Sequence, residues 1–464
     1  MKLSRREVTC KARPIGRVAF EPQQLTSFSG LLLVQHVFAA LGVRRRLDRC
    51  FAGADQGAYP AARLFLLLMV HLLLGFRRLR SLEHYGQDPM VLDLVGLKRA
   101  PSVSTWAERL SQLSPHVPER LRLQQRAFVL EGLKPQKLQR LTLDFDGSVF
   151  NSRRHAEGIA VGYNPRRKGQ RSYYPLFCSL AQTGQVLDVL HRSGNVHDYN
   201  GAVPFMRDCI AAVREQHPRK RLEMRMDTAF FSEELIDEFG DHLDFTIGVA
   251  FTRFPDLKAL VEQRQDWQPL DGEDQWSYFE IKQWRPARWK RPPVRLILLR
   301  RKQADQVKGP LQLDLFEPVS YQYQYSVIAT NMSGAVHEVM SFHHGRSSQE
   351  GIFGELKEQL SMDYVPFRKR VGNEIYMWAA IWTHNIFRAM HMRETPKASR
   401  SNAKRATRWA FIQIRTFRET YLLRPGRITK PANRKLLTFA LPGNKQDQFE
   451  SRLEFWGNEA QATG

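Results

Sequence analysis

The chain has 464 residues, with 70 Lys plus Arg against 47 Asp plus Glu and a formal net charge of +23. A hydrophobic share of 42% excludes a disordered chain, and the length allows two to four domains. The charge exceeds what solubility needs, so the expected partner is a polyanion, nucleic acid first. Cys10, Cys50, Cys178 and Cys209 form no CxxC pair. That excludes a zinc-ribbon signature and suits a reducing cytosol.

The basic start MKLSRREVTCKARPIG has no apolar core behind it, so no signal peptide is expected. The most apolar run, Leu64 to Phe76, falls short of the roughly 20 residues that span a bilayer, and His71 interrupts it. A buried core helix in a soluble protein is the expectation. From Val34 to Leu133 apolar residues recur at helical spacing, so residues 1–135 are read as a helical DNA-binding and dimerisation region. Within it, Gly96 breaks one helix, and Ser102, Ser104 or Thr105 caps another that carries Trp106 and Arg109. This pair has the outline of a helix-turn-helix, with Arg109 as a candidate DNA contact.

At Lys137 the period changes. In LQRLTLDFDGSVF, Leu141, Leu143 and Phe145 alternate with Thr142, Asp144 and Asp146, which predicts a strand. Two strands follow, joined around Thr183-Gly184, then a helix, then the alternating RLEMRMD ending at Asp227. A short helix and the strand DFTIGVAF complete a mixed sheet flanked by helices, an α/β core over 136–251. Residues 252–322 are read as a β-rich insertion carrying Trp276, Trp284 and Trp289. The core resumes over 323–394 with the strand YQYSVIATN, the helix HHGRSSQEGIFGELKEQL and an amphipathic helix NEIYMWAAIWTHNIFRAMHM. The basic C-terminal region 395–464 is expected to place Arg400, Lys404, Arg405, Arg408, Arg415 and Arg418 on a helix.

Asp146 and Asp227 lie at strand ends with the same parity, and Glu350 lies on a helix that would close the sheet. Three carboxylates with no Cys or His cluster favour hard cations, Mg²⁺ or Mn²⁺. Two such ions can activate a water or a 3′-hydroxyl and stabilise the leaving oxygen of a phosphodiester. Arg346, Glu350 and Lys357, four and seven apart, share one helix face. A solvated ladder of ion pairs has the same look, but Arg ahead of Glu is its less favourable order. The basic loop Arg166, Arg167, Lys168 and Arg171 is a candidate contact for the DNA backbone. The three tryptophans are candidates for stacking on a base, with core packing the plainer role.

These residues resemble the DDE transposases of bacterial insertion sequences, in the branch with a Tyr-x2-Arg-x3-Glu-x6-Lys signature. Arg346, Glu350 and Lys357 match in type and spacing, and His343 stands at the tyrosine position. LDFDGSV is similar to the first catalytic block, with the acid at Asp146 and Asp144 as its competitor. MRMDTAFFSEEL is similar to the second, with Asp227. The resemblance spans roughly Gly96 to Met390.

It implies an RNase H-like mixed sheet interrupted by the β-rich insertion. It also implies two divalent ions, bridged by Asp146 and held singly by Asp227 and Glu350, with Arg346, Lys357 and His343 against DNA phosphate. The expected activity is cleavage and joining of double-stranded DNA at terminal inverted repeats and in target DNA. The expected form is a homodimer in the bacterial cytoplasm, associated with the nucleoid and with no membrane partner. The alternatives are a silent DNA-binding relative acting as a repressor and a metal-dependent nuclease that never joins ends.

Overall fold

The computed structural model of the chain describes residues 8–11, 23–54, 57–162, 164, 167–197, 199–273, 275–291, 293–302, 323–395 and 405–463. The helical region opens with a short strand, β1 (Leu25–Thr26), and two helices, α1 (Leu31–Ala40) and α2 (Val43–Cys50). Gly42 separates the helices by turning the backbone to φ 61, a conformation that a side chain would disfavour. α3 (Ala61–Leu73) buries twelve of its thirteen residues, as a helix that is apolar all round must. Its one polar side chain in the core, His71, sets Nδ1 2.5 Å from the Tyr85 hydroxyl. Burial pushes the pKa of this imidazole down to about 3, so it stays neutral.

α4 (Pro89–Val95) starts on Asp88, whose carboxylate accepts from Met90 N at 2.9 Å. The same carboxylate accepts from Thr26 Oγ1 at 2.7 Å, so one side chain caps the helix and pins β1. Gly96 ends α4 at φ 72. α5 (Val103–Ser111) is capped by Ser102 Oγ, which accepts from Thr105 N at 3.1 Å. α6 (His116–Gly132) leads into the sheet.

The strands that follow are β2 (Arg140–Gly147), β3 (Phe150–Asn151), β4 (Ala160–Val161), β5 (Arg171–Tyr173), β6 (Leu176–Leu180) and β7 (Gln185–Leu190). Then come α7 (Ala202–Gln216), β8 (Arg221–Met226), α8 (Glu233–Phe239), β9 (Asp244–Gly248) and α9 (Pro255–Gln263). β10 (Gln268–Pro269), β11 (Trp276–Trp284), β12 (Val294–Lys302) and β13 (Tyr323–Thr330) complete the run. Nine of them form one sheet in the order β10-β11-β12-β13-β9-β8-β2-β6-β7, in which only β9, β8 and β2 pair in parallel. β3, β5 and β4 make a small sheet of their own.

Among its described residues the β-rich stretch supplies β10, β11 and β12, which continue the central sheet outward from β13. The reason is legible in VRLILLRRK, which is apolar on both faces. Leu296 and Leu298 pack under α9, while Ile297 and Leu299 pack with Val336, Val339 and Met340 of α10 (Val336–His344).

α11 (Ser348–Gly354) follows α10, and then α12 (Arg370–Glu394). α12 departs from the amphipathic expectation: twenty of its 25 residues are buried. It runs through the core against α3, α5, α6 and β7. The basic tail also differs from its expected helix. Arg400 and Lys404 lie outside the described residues, Arg405 sits at φ 47, and only Ile414–Phe417 and the π turn Arg418–Leu422 are helical before Gly426. Arg418 turns inward, donating to Leu73 O at 2.5 Å and Gln359 O at 2.7 Å, which welds the tail to the core. β14 (Gly426–Thr429) pairs with β1 and with β15 (Leu436–Phe439), and α13 (Lys445–Thr463) packs on α1.

Candidate active site

β2 and β8 lie side by side in register, with Asp144 opposite Arg225 and Phe145 opposite Met226. One step further along, Asp146 and Asp227 meet at the strand ends. Asp146 accepts from Gly147 N at 2.8 Å. Asp227 caps the 3-10 turn Thr228–Phe230 by accepting from Thr228 N at 2.5 Å. Arg346, on the turn Gly345–Ser347 between α10 and α11, reaches both carboxylates. Its Nη1 lies 3.1 Å from Asp146 Oδ2 and its Nη2 lies 3.8 Å from Asp227 Oδ2. Asp146 and Arg346 are each 21% exposed and Asp227 is 41% exposed, so the trio forms an open rim.

Glu350 lies in the first turn of α11 and is exposed. Helical spacing puts it on the face shared by Arg346, four residues before it, and Phe353, three after. Phe353 packs edge-on against Phe177, with ring centroids 5.0 Å apart, and Phe177 is the β6 partner of Asp146. Lys357 Nζ lies 6.0 Å from the Phe353 ring centroid. This helix face therefore runs along the acid rim.

The opposite face, with Gln349, Ile352, Glu355 and Leu356, is buried. Glu355 thus leaves the acidic stripe that the sequence pattern suggests. It pairs with Arg388 of α12 and accepts from Ile414 N at 3.2 Å. A π turn over Glu355–Gln359 accompanies the change of face.

One step inward from the rim, the competitor Asp144 is fully buried. Arg225 clamps it with two bonds, Nε to Oδ1 at 2.5 Å and Nη2 to Oδ2 at 2.7 Å. Arg225 also donates to Phe342 O at 2.9 Å, and Gln349 Nε2 donates to Asp144 O at 3.1 Å. Arg225 and Gln349 do not figure in the sequence-derived site. The cross-strand pairing of Asp144 with Arg225, each two residues before a rim acid, is the signal that identifies the first of them.

His343 places Nδ1 3.0 Å from Thr246 Oγ1. Desolvation first, then Arg346, His344 and Arg225, push its pKa down to about 3, so the imidazole stays neutral.

Lys168 and Arg171 are exposed on the small sheet, whose β3 begins just past Asp146. Arg167 N donates to Asn164 Oδ1 at 3.1 Å, and Arg166 lies outside the described residues. Trp289 and Trp284 both stack on Phe231, four residues past Asp227, with centroids 5.0 and 6.3 Å away. Trp276 packs against His344 at 5.3 Å. Arg109 is half-buried on α5, whose Trp106 and Leu110 face the core and whose Ser104 and Glu108 face outward. No contact among the described residues links Arg109 to the rim.

Hard carboxylate oxygens suit Mg²⁺ or Mn²⁺. Among the described residues, no three His, Cys, Asp or Glu side chains come close enough to hold an ion together. Arg346 instead supplies the positive charge between Asp146 and Asp227. The carboxylates suit such an ion in donor type; the structure brings Asp146 and Asp227 together around Arg346 and does not gather Glu350 with them into one ligand set.

Sheet-end carboxylates and the guanidinium they share thus lie at one edge of a chain of net charge +23. Residues 9–451 match the family described as Transposase DDE domain group 1, and the chain belongs to that family. Among solved structures it is similar to a piggyBac transposase synaptic complex with hairpin DNA, at TM-score 0.43 and 11% identity. That match covers 84% of this chain and 78% of the other. No curated protein matches the chain. No described helix is long and apolar enough to cross a membrane.

Proposed function

We propose that this chain is a cut-and-paste transposase of a bacterial insertion sequence, in the Tyr-Arg-Glu-Lys branch, acting in the cytoplasm on nucleoid DNA. It binds terminal inverted repeats as a homodimer, cleaves there and joins the ends to target DNA. The observation that carries the reading is Arg346 reaching two carboxylates at the ends of adjacent parallel strands. The strand order β7-β6-β2-β8-β9, antiparallel in its first half and parallel in its second, supports an RNase H-like core.

In this reading Asp146, Asp227 and Glu350 hold divalent metal, as the family generally does. Bound there, Mg²⁺ or Mn²⁺ supplies an activated nucleophile and neutralises the leaving oxygen. Arg346 and Lys357 orient the scissile phosphate along the α11 face. Arg166, Arg167, Lys168 and Arg171 hold the DNA backbone. Trp284 and Trp289, or Trp276, offer ring faces to a base, and Arg109 takes a phosphate in the helical region.

The test uses end-labelled flanking DNA with purified protein, with Mg²⁺ and with EDTA. Nicking at the repeat boundary that needs metal and is lost in Asp146→Asn, Asp227→Asn and Glu350→Gln is the expected result. A second reading, a silent DNA-binding relative acting as a repressor, is favoured by Arg346 already neutralising the acid pair. Specific binding without cleavage in either metal would select it. Cleavage without joined products would select a nuclease.

A further inference from the structure

The sheet end opposite the acid rim carries an unassigned feature. A groove of about 470 Å³ is walled by Arg45, Arg46, Arg49 and Arg393 over a floor that includes Phe128 and Met392. Its one carboxylate, Glu131, is already paired with Arg46. A second cleft of about 430 Å³ shares Gly42 and Arg45 with it and adds Arg44. A third, of about 400 Å³, begins at Lys137, next to the groove's Gln136, and is lined by Arg140, Arg405 and Arg408 with no carboxylate.

Arg140 starts β2 and Gln185 starts β7, and the two strands run the same way. The band therefore lies one strand length, roughly 20 Å, from Asp146. Some of its cations are spoken for: Arg405 and Arg140 hold Glu223, and Arg393 holds Glu459. Arg45, Arg49, Lys137 and Arg408 have no carboxylate partner among the described residues, and Arg45, Arg49 and Lys137 are exposed.

We infer that this band, from the α1–α2 turn across the start of β2 to Arg408, is a second contact surface for the phosphate backbone of duplex DNA. Two clefts that share a wall and a third that begins at the next residue outreach any small anion, and a duplex supplies evenly spaced phosphates over that length. The contacts are charge on charge, so the surface reads no sequence. A duplex at the rim is separated from it by the depth of the sheet, so the band holds another stretch of DNA. The inference rests on the DNA-handling reading above, and its test is independent of catalysis.

Four exposed or partly exposed cations are neutralised together, Arg45→Gln, Arg49→Gln, Lys137→Gln and Arg408→Gln, in the full chain. Binding of a 40-base-pair duplex is followed by fluorescence anisotropy from 50 to 200 mM salt. Each lost phosphate contact flattens the slope of log K against log salt by about 0.9, so a total of about 3 to 4 is expected, with a loss of at least about tenfold in affinity at 100 mM salt. A slope within about one unit of the parent overturns the inference.

If the variant unfolds earlier by circular dichroism, a photo-crosslinker at position 49 alone replaces it. Cross-links to DNA uphold the surface, and their absence removes it. A parent that binds with the expected slope but never cleaves defeats the catalytic reading and leaves this one standing.

Discussion

Asp144 and Asp146 sit on the same face of the same strand, two residues apart, and live in different solvents. At the interior position the carboxylate is sealed, clamped twice by Arg225, with Gln349 on its carbonyl. At the rim the carboxylate is open and shares one guanidinium with Asp227. The lesson is that alternation assigns a face, while depth along the strand assigns the role. Around the buried, paired acid, Arg225 holds α10 through Phe342 O and Gln349 of α11 holds the Asp144 backbone carbonyl. The acid one step further out stays partly exposed beside Arg346.

The largest effect expected from this difference is in stability. Arg225→Ala strands a buried carboxylate and should cost about 3–5 kcal/mol. Asp146→Asn removes only a half-exposed charge and should stay within about 0.5 kcal/mol while abolishing metal-dependent cleavage. Urea unfolding of the two variants checks both, and equal destabilisation would erase the distinction between interior and rim.

The next effect is in pH. His384 and His391 of α12 are buried, and burial holds each at about 3, below the ordinary imidazole value. Between about pH 6.5 and 3 the unfolded chain takes up protons that the folded chain refuses, so stability is complete above 6.5 and falls with acidification. The ceiling is about 1.4 kcal/mol per pH unit for each group. Among the described residues neither His391 ring nitrogen has a hydrogen-bond partner, so His391→Phe should flatten the dependence of thermal unfolding between pH 7.5 and 5. An unchanged slope would show that the interior does not exclude protons as this burial requires.

Much of this interior and rim is legible in the sequence, for stated reasons. The alternation of LTLDFDG and RLEMRMD yields both strands, and their parity yields Asp146 and Asp227 as a pair. What escapes is what depends on a third partner. α12 looks amphipathic because His384, Asn385 and Arg388 interrupt its apolar surface, yet each finds an internal partner, in Gly184 O, Val186 and Glu355. Glu355 looks like a member of a surface stripe until Arg388 and Ile414 close over it. Arg418 looks like one more tail cation until it is seen capping the carbonyls of α3. Buried polar groups with distant partners carry no periodic signal.

A smaller effect concerns Arg346, which stands where a cation's charge would stand. Arg346→Gln leaves Asp146 and Asp227 facing each other without a counter-charge. Stability without metal should fall by no more than about 1 kcal/mol, and Mn²⁺ affinity should rise by up to about fivefold, the equivalent of that energy. Electron paramagnetic resonance of free Mn²⁺ gives the affinity directly, without reference to activity. Weaker Mn²⁺ binding would make Arg346 part of the ion's support rather than its competitor.

The smallest effect belongs to the basic loop that leads into β5. Lys168 and Arg171 flank Gly169, whose φ of 77 makes the tight turn that presents them. Both are exposed, and Arg171 already lies against the His155 ring, 2.9 Å from its Nδ1. An exposed cation gains little from protein neighbours and most from displacing counterions on DNA. Lys168→Gln with Arg171→Gln should therefore flatten the salt dependence of binding by about 1 to 2 units and leave unfolding unchanged. The slope must fall on a duplex short enough to fill the rim alone, because there the distant basic band has no DNA to hold. If the loss appears only on long duplexes, the loop belongs with that band and the rim keeps the DNA by Arg346 and Lys357.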